Sequence, residues 1–177
     1  GPEPARARYQ LIEMASWLLE HPGRTATQMA AGLGIAETTR RSNLSRLRAW
    51  LGSDPDDQPY LPEAYSGRIQ LHPEVTSDVA RLRLLTGPGV NRIGEDGLIA
   101  ALDLIRGGLL ADAAPSQWYW AESLRSDVAA TLRDAGLVLV DRALDRGELD
   151  LARWAADHAL MVAPEDELLM CAHIRTE

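Results

Sequence analysis

Residues 25–52 read TATQMAAGLGIAETTRRSNLSRLRAWLG, and the fold predicted for the N-terminal half of the chain is built around them. Its first part predicts a short helix, because Thr25 and Gln28 form a capping-box pattern that satisfies two free backbone amides. Its second part predicts a longer helix over about residues 36–51, since leucines recur there at spacings of three and four. These leucines are Leu44, Leu47 and Leu51.

Three residues at the junction suit two helices that cross at close range. Ala30 is small enough to let the second helix approach, and Gly34 can adopt the left-handed turn conformation. Ile35 can fill the gap between the helices. The stretch therefore predicts a helix-turn-helix, and the apolar spacing of Arg8 to His21 predicts a packing helix before it.

The second helix is basic, although the protein as a whole is acidic. The 177-residue chain has 18 basic residues, all arginine, and 26 acidic residues, which gives a formal net charge of −8. Arginine can bridge phosphates or bind guanine edges, asparagine can pair with adenine, and serine fits either. The candidate DNA-binding residues on this helix are Arg40, Arg41, Ser42, Asn43, Arg46 and Arg48.

A small hairpin is predicted to follow, over residues 60–71. Residues 59–62 favour an extended segment, residues 64–67 a turn, and residues 68–71 alternate as a strand does. A helix-turn-helix followed by a hairpin is a winged helix, and Arg68 lies near the hairpin turn as a further candidate for a phosphate contact. The alternative is a structural module in which these arginines only solvate a helix face.

The C-terminal part of the chain is acidic and helical. Residues 76–177 hold 10 arginines and 17 acidic residues, a net charge of −7, so this part would repel DNA and suits a basic protein partner. The apolar spacing predicts the following helices: 78–85, 95–106, 117–146 with a break near Gly136, 148–162 and 166–175. The domain boundaries are therefore predicted as 5–75 and 76–177.

No motif of an enzyme stands out. The serines lack a nucleophile elbow or a recognisable partner motif. His158, Cys171 and His173 do not have the spacing of a structural zinc site, which takes four ligands. We therefore expect a non-enzymatic protein with no catalytic residue, no metal, no cofactor and no small-molecule substrate.

Two segments resemble one family. Residues 42–52, SNLSRLRAWLG, with Tyr60-Leu61-Pro62, and residues 152–156, ARWAA, with residues 163–169, APEDELL, are similar to the bacterial transcriptional activator domain proteins. These SARP-type regulators of actinomycetes join an OmpR-like winged helix to a tetratricopeptide-like helical domain. The resemblance implies a mostly α fold of this kind, with a helical domain that is truncated at its C-terminus.

The resemblance also implies transcription regulation through DNA binding. In one branch of the family the pair of domains ends a larger, membrane-tethered protein. We expect a cytoplasmic DNA-binding fragment, with the cytoplasmic end of a membrane-anchored protein as the alternative setting. A single helix-turn-helix usually needs a second copy for useful affinity, so a homodimer is also expected. The alternative function is a protein-interaction module that does not bind DNA.

Overall fold

The computed structural model describes residues 5–64, 66–111, 113 and 117–176, with side chains from Arg8 onward. The described chain is mostly helical, with eight α-helices and one two-stranded sheet. It divides into two compact units. The first contains the described residues up to Ser77 together with 117–120, and the second contains those from Asp78 onward except 117–120. The sequence-based boundaries place 117–120 in the second domain instead.

The first unit contains three helices and the small sheet. The elements in chain order are α1 (Ala5–Glu20), β1 (Arg24–Thr25), α2 (Ala26–Gly32), α3 (Glu37–Leu51) and β2 (Arg68–Ile69). The turn between α2 and α3 forms as its residue types predict. Gly34 has a φ of +64°, in the region that favours glycine. The amide of Ile35 donates to the carbonyl of Ala30 at 2.8 Å.

The start of α2 shows the predicted capping box. Thr25 is the N-cap, its hydroxyl accepts from the Gln28 amide, and the Gln28 side chain accepts from the Thr25 amide. Behind this turn, a Cβ at Gly32 would lie 2.8 Å from the Trp17 ring nitrogen. Glycine at this position therefore lets α2 pass close to α1.

One apolar core fills the first unit, and every helix contributes to it. Its buried members are Leu11, Met14, Ala15, Trp17, Leu18, Met29, Leu47, Leu61, Ile69 and Leu71. Leu44 and Leu51 pack against this core, so the predicted inward face of α3 is confirmed. Trp120 packs against the same core, and the amide of Trp118 donates to the Glu13 carboxylate at 2.8 Å.

The predicted hairpin over residues 60–71 is wrong in its pairing. β2 pairs antiparallel with β1, Arg24 opposite Ile69 and Thr25 opposite Arg68, and residues 60–64 form no strand. Only one backbone bond, from the His72 amide to the Tyr60 carbonyl, joins the two sides of the expected hairpin among the residues that the structure describes. Pro62 has no amide to donate, and the Leu61 carbonyl accepts from Arg48 instead of from a strand.

The second unit consists of helices. They are α4 (Asp78–Thr86), α5 (Glu95–Leu102), α6 (Glu122–Asp145), α7 (Leu149–Val162) and α8 (Glu167–Ile174). Short 3₁₀ turns lie at Val90–Arg92 in this unit and at Tyr119–Ala121, which crosses the sequence boundary from the first unit to the second. α6 and α7 form the most extensive helix pair, and α8 packs on both.

The predicted break near Gly136 is wrong, because α6 continues through it. This glycine instead allows α6 and α7 to pack closely. A Cβ on Gly136 would lie only 2.4 Å from the Cβ of Ala159 on α7. The facing side of α7 is built from fully buried small residues, Ala152, Ala155, Ala156 and Ala159.

Helix α8 starts at a side-chain cap. The carboxylate of Asp166 accepts from the Leu169 amide at 3.0 Å and also pairs with the Arg133 guanidinium of α6. The α6 arginine thus holds the start of α8. Among the residues that the structure describes, no helix has the length and apolar character needed to cross a membrane.

Candidate nucleic-acid interface

Helix α3 presents two different faces. Asn43 and Leu47 are buried in the first unit, whereas Arg41, Ser42 and Arg46 are exposed. Ser45 is exposed as well, four residues after Arg41 and one turn along the same side. The outward face therefore carries two arginines and two serines.

Asn43 does not belong to this outward face, which corrects its assignment as a DNA-reading residue. It is 7% exposed. The physical reason is its spacing: it precedes the fully buried Leu47 by four residues, so both lie on the inward side of α3. A side chain in this position cannot reach the edge of a base without unpacking the helix.

Arg40 is largely held within the protein. Its Nη1 donates to the Thr27 hydroxyl at 2.5 Å and pairs with the Glu37 carboxylate one turn earlier. Its side chain is 18% exposed, and its Nε is buried without a hydrogen-bond partner in the described part of the chain. Arg40 therefore joins α3 to α2, and most of its charge is already compensated by Glu37.

Arg48 is also used inside the unit. Its Nε donates to the Leu61 carbonyl at 2.9 Å, and its Nη1 lies 3.2 Å from Glu63. Arg68 donates from Nη1 to the Gly23 carbonyl at 3.1 Å, although its side chain is exposed. Arg40 and Arg48 therefore both have acidic partners in the folded chain.

Arg41 and Arg46 differ from these three arginines. Both are exposed, and neither has a hydrogen bond or an ion pair within the residues that the structure describes. Ser42 is exposed too, and its hydroxyl donates to the Thr39 carbonyl at 2.8 Å, which leaves its oxygen lone pairs accessible. On α3, these side chains are the part of the predicted site that can meet an external ligand.

Arg24 was missed by sequence reasoning. It is exposed on β1, and the ladder places its neighbour Thr25 opposite Arg68. No local pattern marks Arg24 as a site residue. Only the long-range pairing of β1 with β2 brings the two arginines to adjacent positions of one sheet.

A groove of about 530 Å³ runs beside α3 in the first unit. Its lining includes Arg40, Arg41 and Arg48 of α3 and Glu63 of the loop that follows. Because Glu63 pairs with Arg48, the side of the groove that offers an uncompensated positive charge is the one with Arg41.

Among the residues that the structure describes, one cluster has the spacing to hold a metal ion, and it lies elsewhere in the first unit. Ligand atoms of Asp54, His72 and Glu74 all lie within 4.8 Å of one another. Two of the three side chains accept backbone hydrogen bonds: Asp54 Oδ1 accepts from the Asp56 and Gln58 amides, and His72 Nδ1 accepts from the Glu74 amide. Three ligands are also fewer than a structural zinc site uses.

The residues weighed for a metal site in the second unit have other contacts. His158 Nδ1 lies 2.9 Å from the Trp154 carbonyl, and His173 Nδ1 lies 2.9 Å from Asp157. Cys171 is exposed on α8. His158 therefore links two neighbouring turns of α7, and His173 links α8 to α7.

Comparisons with protein-family models, with curated proteins and with solved structures find no match to this chain.

Proposed function

We propose that the chain is a DNA-binding transcription regulator in which α2 and α3 form a helix-turn-helix and α3 enters the major groove. The observation that carries the proposal is the outward face of α3, where Arg41 and Arg46 are exposed and unpaired within the described chain. These two guanidinium groups gain no ion pair from folding within the described chain, since Glu37 pairs with Arg40. They suit a polyanion, which would compensate both charges.

The order of elements supports a winged form of this motif. β1 lies between α1 and α2, and β2 follows α3 and pairs with β1. The residues between α3 and β2 would then form the wing, with the exposed Arg68 of β2 and Arg24 of β1 at its base. Such side chains would contact backbone phosphate, because half or more of protein–DNA hydrogen bonds go to the sugar–phosphate backbone.

The second unit supports a tetratricopeptide-like partner domain. α6 and α7 pack as a pair through Gly136 and Ala159, and α8 begins after Pro164, against both. Small residues at the crossing and proline at the start of the next helix are typical of such repeats. We propose a cytoplasmic regulator, with the cytoplasmic end of a membrane-anchored protein as the alternative setting.

The expected affinity of one copy is low. Only Arg41 and Arg46 are free on α3, with Arg24 and Arg68 at the sheet, so we expect about two to four phosphate contacts. Proteins with more contacts bind DNA non-specifically with dissociation constants near 10⁻⁴–10⁻⁶ M at physiological salt. A monomer should therefore bind at low salt and need a second copy at physiological salt.

The test is the affinity of the double variant Arg41→Ala/Arg46→Ala for a fluorescent DNA duplex at about 50 mM salt, where phosphate contacts contribute most. We expect at least a tenfold loss, with unchanged thermal stability. The matched control is Arg81→Ala/Arg92→Ala, which removes two exposed arginines from the second unit. Equal losses for both double variants would show that only net charge matters and would contradict the proposal.

A second candidate function is a protein-interaction module through the acidic unit. Asp141 and Asp145 are exposed four residues apart on α6 and have no ion pair among the described residues. This face suits a basic peptide. Asp141→Asn/Asp145→Asn should weaken the binding of an oligoarginine peptide measured by calorimetry. Unchanged binding would remove this candidate.

A further inference from the structure

Helix α8 is apolar on both of its faces. Leu169 and Ala172 point into the core of the second unit and are buried, with Thr176 following on the same side. On the outward side, Leu168 is 59% exposed, Ile174 66% and Met170 40%. A helix that is apolar all round is normally covered on both sides, and a contiguous exposed apolar patch marks an interaction surface.

The outward stripe of α8 is complementary to itself in the antiparallel direction. In chain order it contains Glu167, Leu168, Cys171, Ile174 and Arg175, and all five are exposed. The positions are symmetric about Cys171, so reversal of the helix exchanges Glu167 with Arg175 and Leu168 with Ile174. Neither Glu167 nor Arg175 has an ion pair within the described chain.

We propose that this stripe docks a second copy of the chain, with the two α8 helices antiparallel and a two-fold axis passing at Cys171. Each Glu167 then meets Arg175 of the other copy, each Leu168 meets Ile174, and the two Cys171 side chains face each other. A parallel arrangement would place like charges together, which is destabilising. An isologous contact of this kind is the commonest way in which homodimers close.

The expected dimer is weak. The stripe spans about two helical turns, so it buries less area than the ~1,600 Å² of a standard interface. The inference does not rest on DNA binding. It would nevertheless supply the second helix-turn-helix that the proposed function needs, since such proteins commonly bind as dimers.

The first test is the weight-average mass of the 177-residue chain, measured without DNA by sedimentation equilibrium. We expect it to rise from 19.4 kDa toward twice that value as the concentration approaches about 1 mM, the range of weak association. Ile174→Glu should remain at the mass of one copy. Leu84→Glu is the matched control, because Leu84 is 82% exposed on α4, and it should associate like the wild type. A wild type that stays at 19.4 kDa throughout overturns the proposal.

The second test addresses the register. Arg175→Glu should weaken association about tenfold, because two exposed ion pairs become two repulsive pairs. Glu167→Arg combined with Arg175→Glu should restore it, since both pairs are re-formed with reversed signs. Failure of the double variant to recover would show that the helices do not meet in this register.

Cys171 offers an independent readout of the axis. Diamide accepts two electrons and two protons from a pair of thiols, so facing Cys171 side chains would be joined by a disulfide. We expect a covalent dimer in the wild type and strongly reduced cross-linking in Ile174→Glu at the same concentration. Equal cross-linking in both would mean random collision and would contradict the proposed axis. DNA is absent from every assay, so these outcomes are independent of the DNA-binding proposal.

Discussion

At the scale of single residues, the four arginines of α3 have the same chemistry but different neighbours. Arg40 and Arg48 donate to groups on other segments of the first unit, whereas Arg41 and Arg46 have no such partners in the described chain. The sequence places all four on one helix. It cannot show that the Leu61 carbonyl lies beside Arg48, because that contact joins residues 13 apart through a loop.

This difference predicts different costs of mutation. Arg48→Ala should lower the free energy of unfolding by about 1–2 kcal/mol, because the Leu61 carbonyl loses a charge-assisted hydrogen bond in a partly buried place. Arg41→Ala should change it by less than about 0.5 kcal/mol, as surface substitutions usually do. Urea denaturation of the two variants measures both values. A larger cost for Arg41→Ala than for Arg48→Ala would contradict the assigned roles.

Asn43 shows where residue type misleads. Asparagine is common both at DNA contacts and in helix packing, and its chemistry suggests the former. Its spacing of four from Leu47 indicates the inward face, and the structure agrees with the spacing. On a short basic helix, periodicity was the stronger guide to the face.

At the scale of elements, local signals in the sequence identified the helices well. Thr25 with Gln28, and Gly34 with Ile35, each act within a few residues, and both form as expected. The pairing of β1 with β2 was missed, because each strand has two residues and they are 44 positions apart along the chain. Gly136 was misjudged for the same reason: its role depends on Ala159, which belongs to another helix.

The close crossing of α6 and α7 predicts the effect of a single methyl group. Gly136→Ala should lower the free energy of unfolding by about 1–2 kcal/mol, because overpacking against Ala159 outweighs the gain in helix propensity. Thermal or urea unfolding measures the change. Combination with Ala159→Gly should recover much of the loss.

Gly97 provides the control for this prediction. A Cβ there would lie 3.6 Å from the Ile93 side chain, which is an ordinary contact. Gly97→Ala should therefore leave stability unchanged or raise it by up to about 1 kcal/mol, the propensity difference between alanine and glycine. Similar losses in both variants would show that crowding against α7 is not the cause.

The cap of α8 predicts a pH dependence. The Arg133 guanidinium, together with the Leu169 amide, lowers the pKa of Asp166 below its usual value. A carboxylate with a lowered folded-state pKa stabilises the fold fully above the usual aspartate pKa of about 3.9, and this stabilisation is lost as pH falls through the lowered value. Asp166→Asn keeps a capping side chain but removes the charge. The free energy of unfolding of this variant should therefore be lower than that of the wild type at neutral pH.

The measurement is urea unfolding of the wild type and Asp166→Asn from pH 7 to pH 2. The difference between them should be largest at neutral pH and should shrink below about pH 4, where aspartate becomes protonated. Asp134→Asn is the control, because Asp134 is the second and more exposed partner of Arg133. A difference between wild type and Asp166→Asn that does not change with pH would contradict the role of the ion pair.

At the scale of the whole molecule, charge separates the two parts of the chain. Residues 1–75 have 8 arginines and 9 acidic residues, whereas residues 76–177 have 10 and 17. The first part is therefore nearly neutral and includes the exposed Arg41 and Arg46, and the second is strongly acidic. This separation is visible in the composition alone. The composition does not show which arginines lack an ion pair, because Glu37 and Glu63 pair with Arg40 and Arg48 only in the folded chain.

The salt dependence of DNA binding reports how many phosphates the outward face of α3 contacts. Each phosphate contact contributes about −0.9 to the slope of log K against log salt concentration. For the whole chain and a DNA duplex between about 50 and 200 mM salt, we predict a slope of about −2 to −4, which Arg41→Ala/Arg46→Ala reduces in magnitude by about 2. A folded wild-type chain without salt-dependent binding, or a double variant with the wild-type slope, would contradict the claim that the outward face of α3 binds DNA.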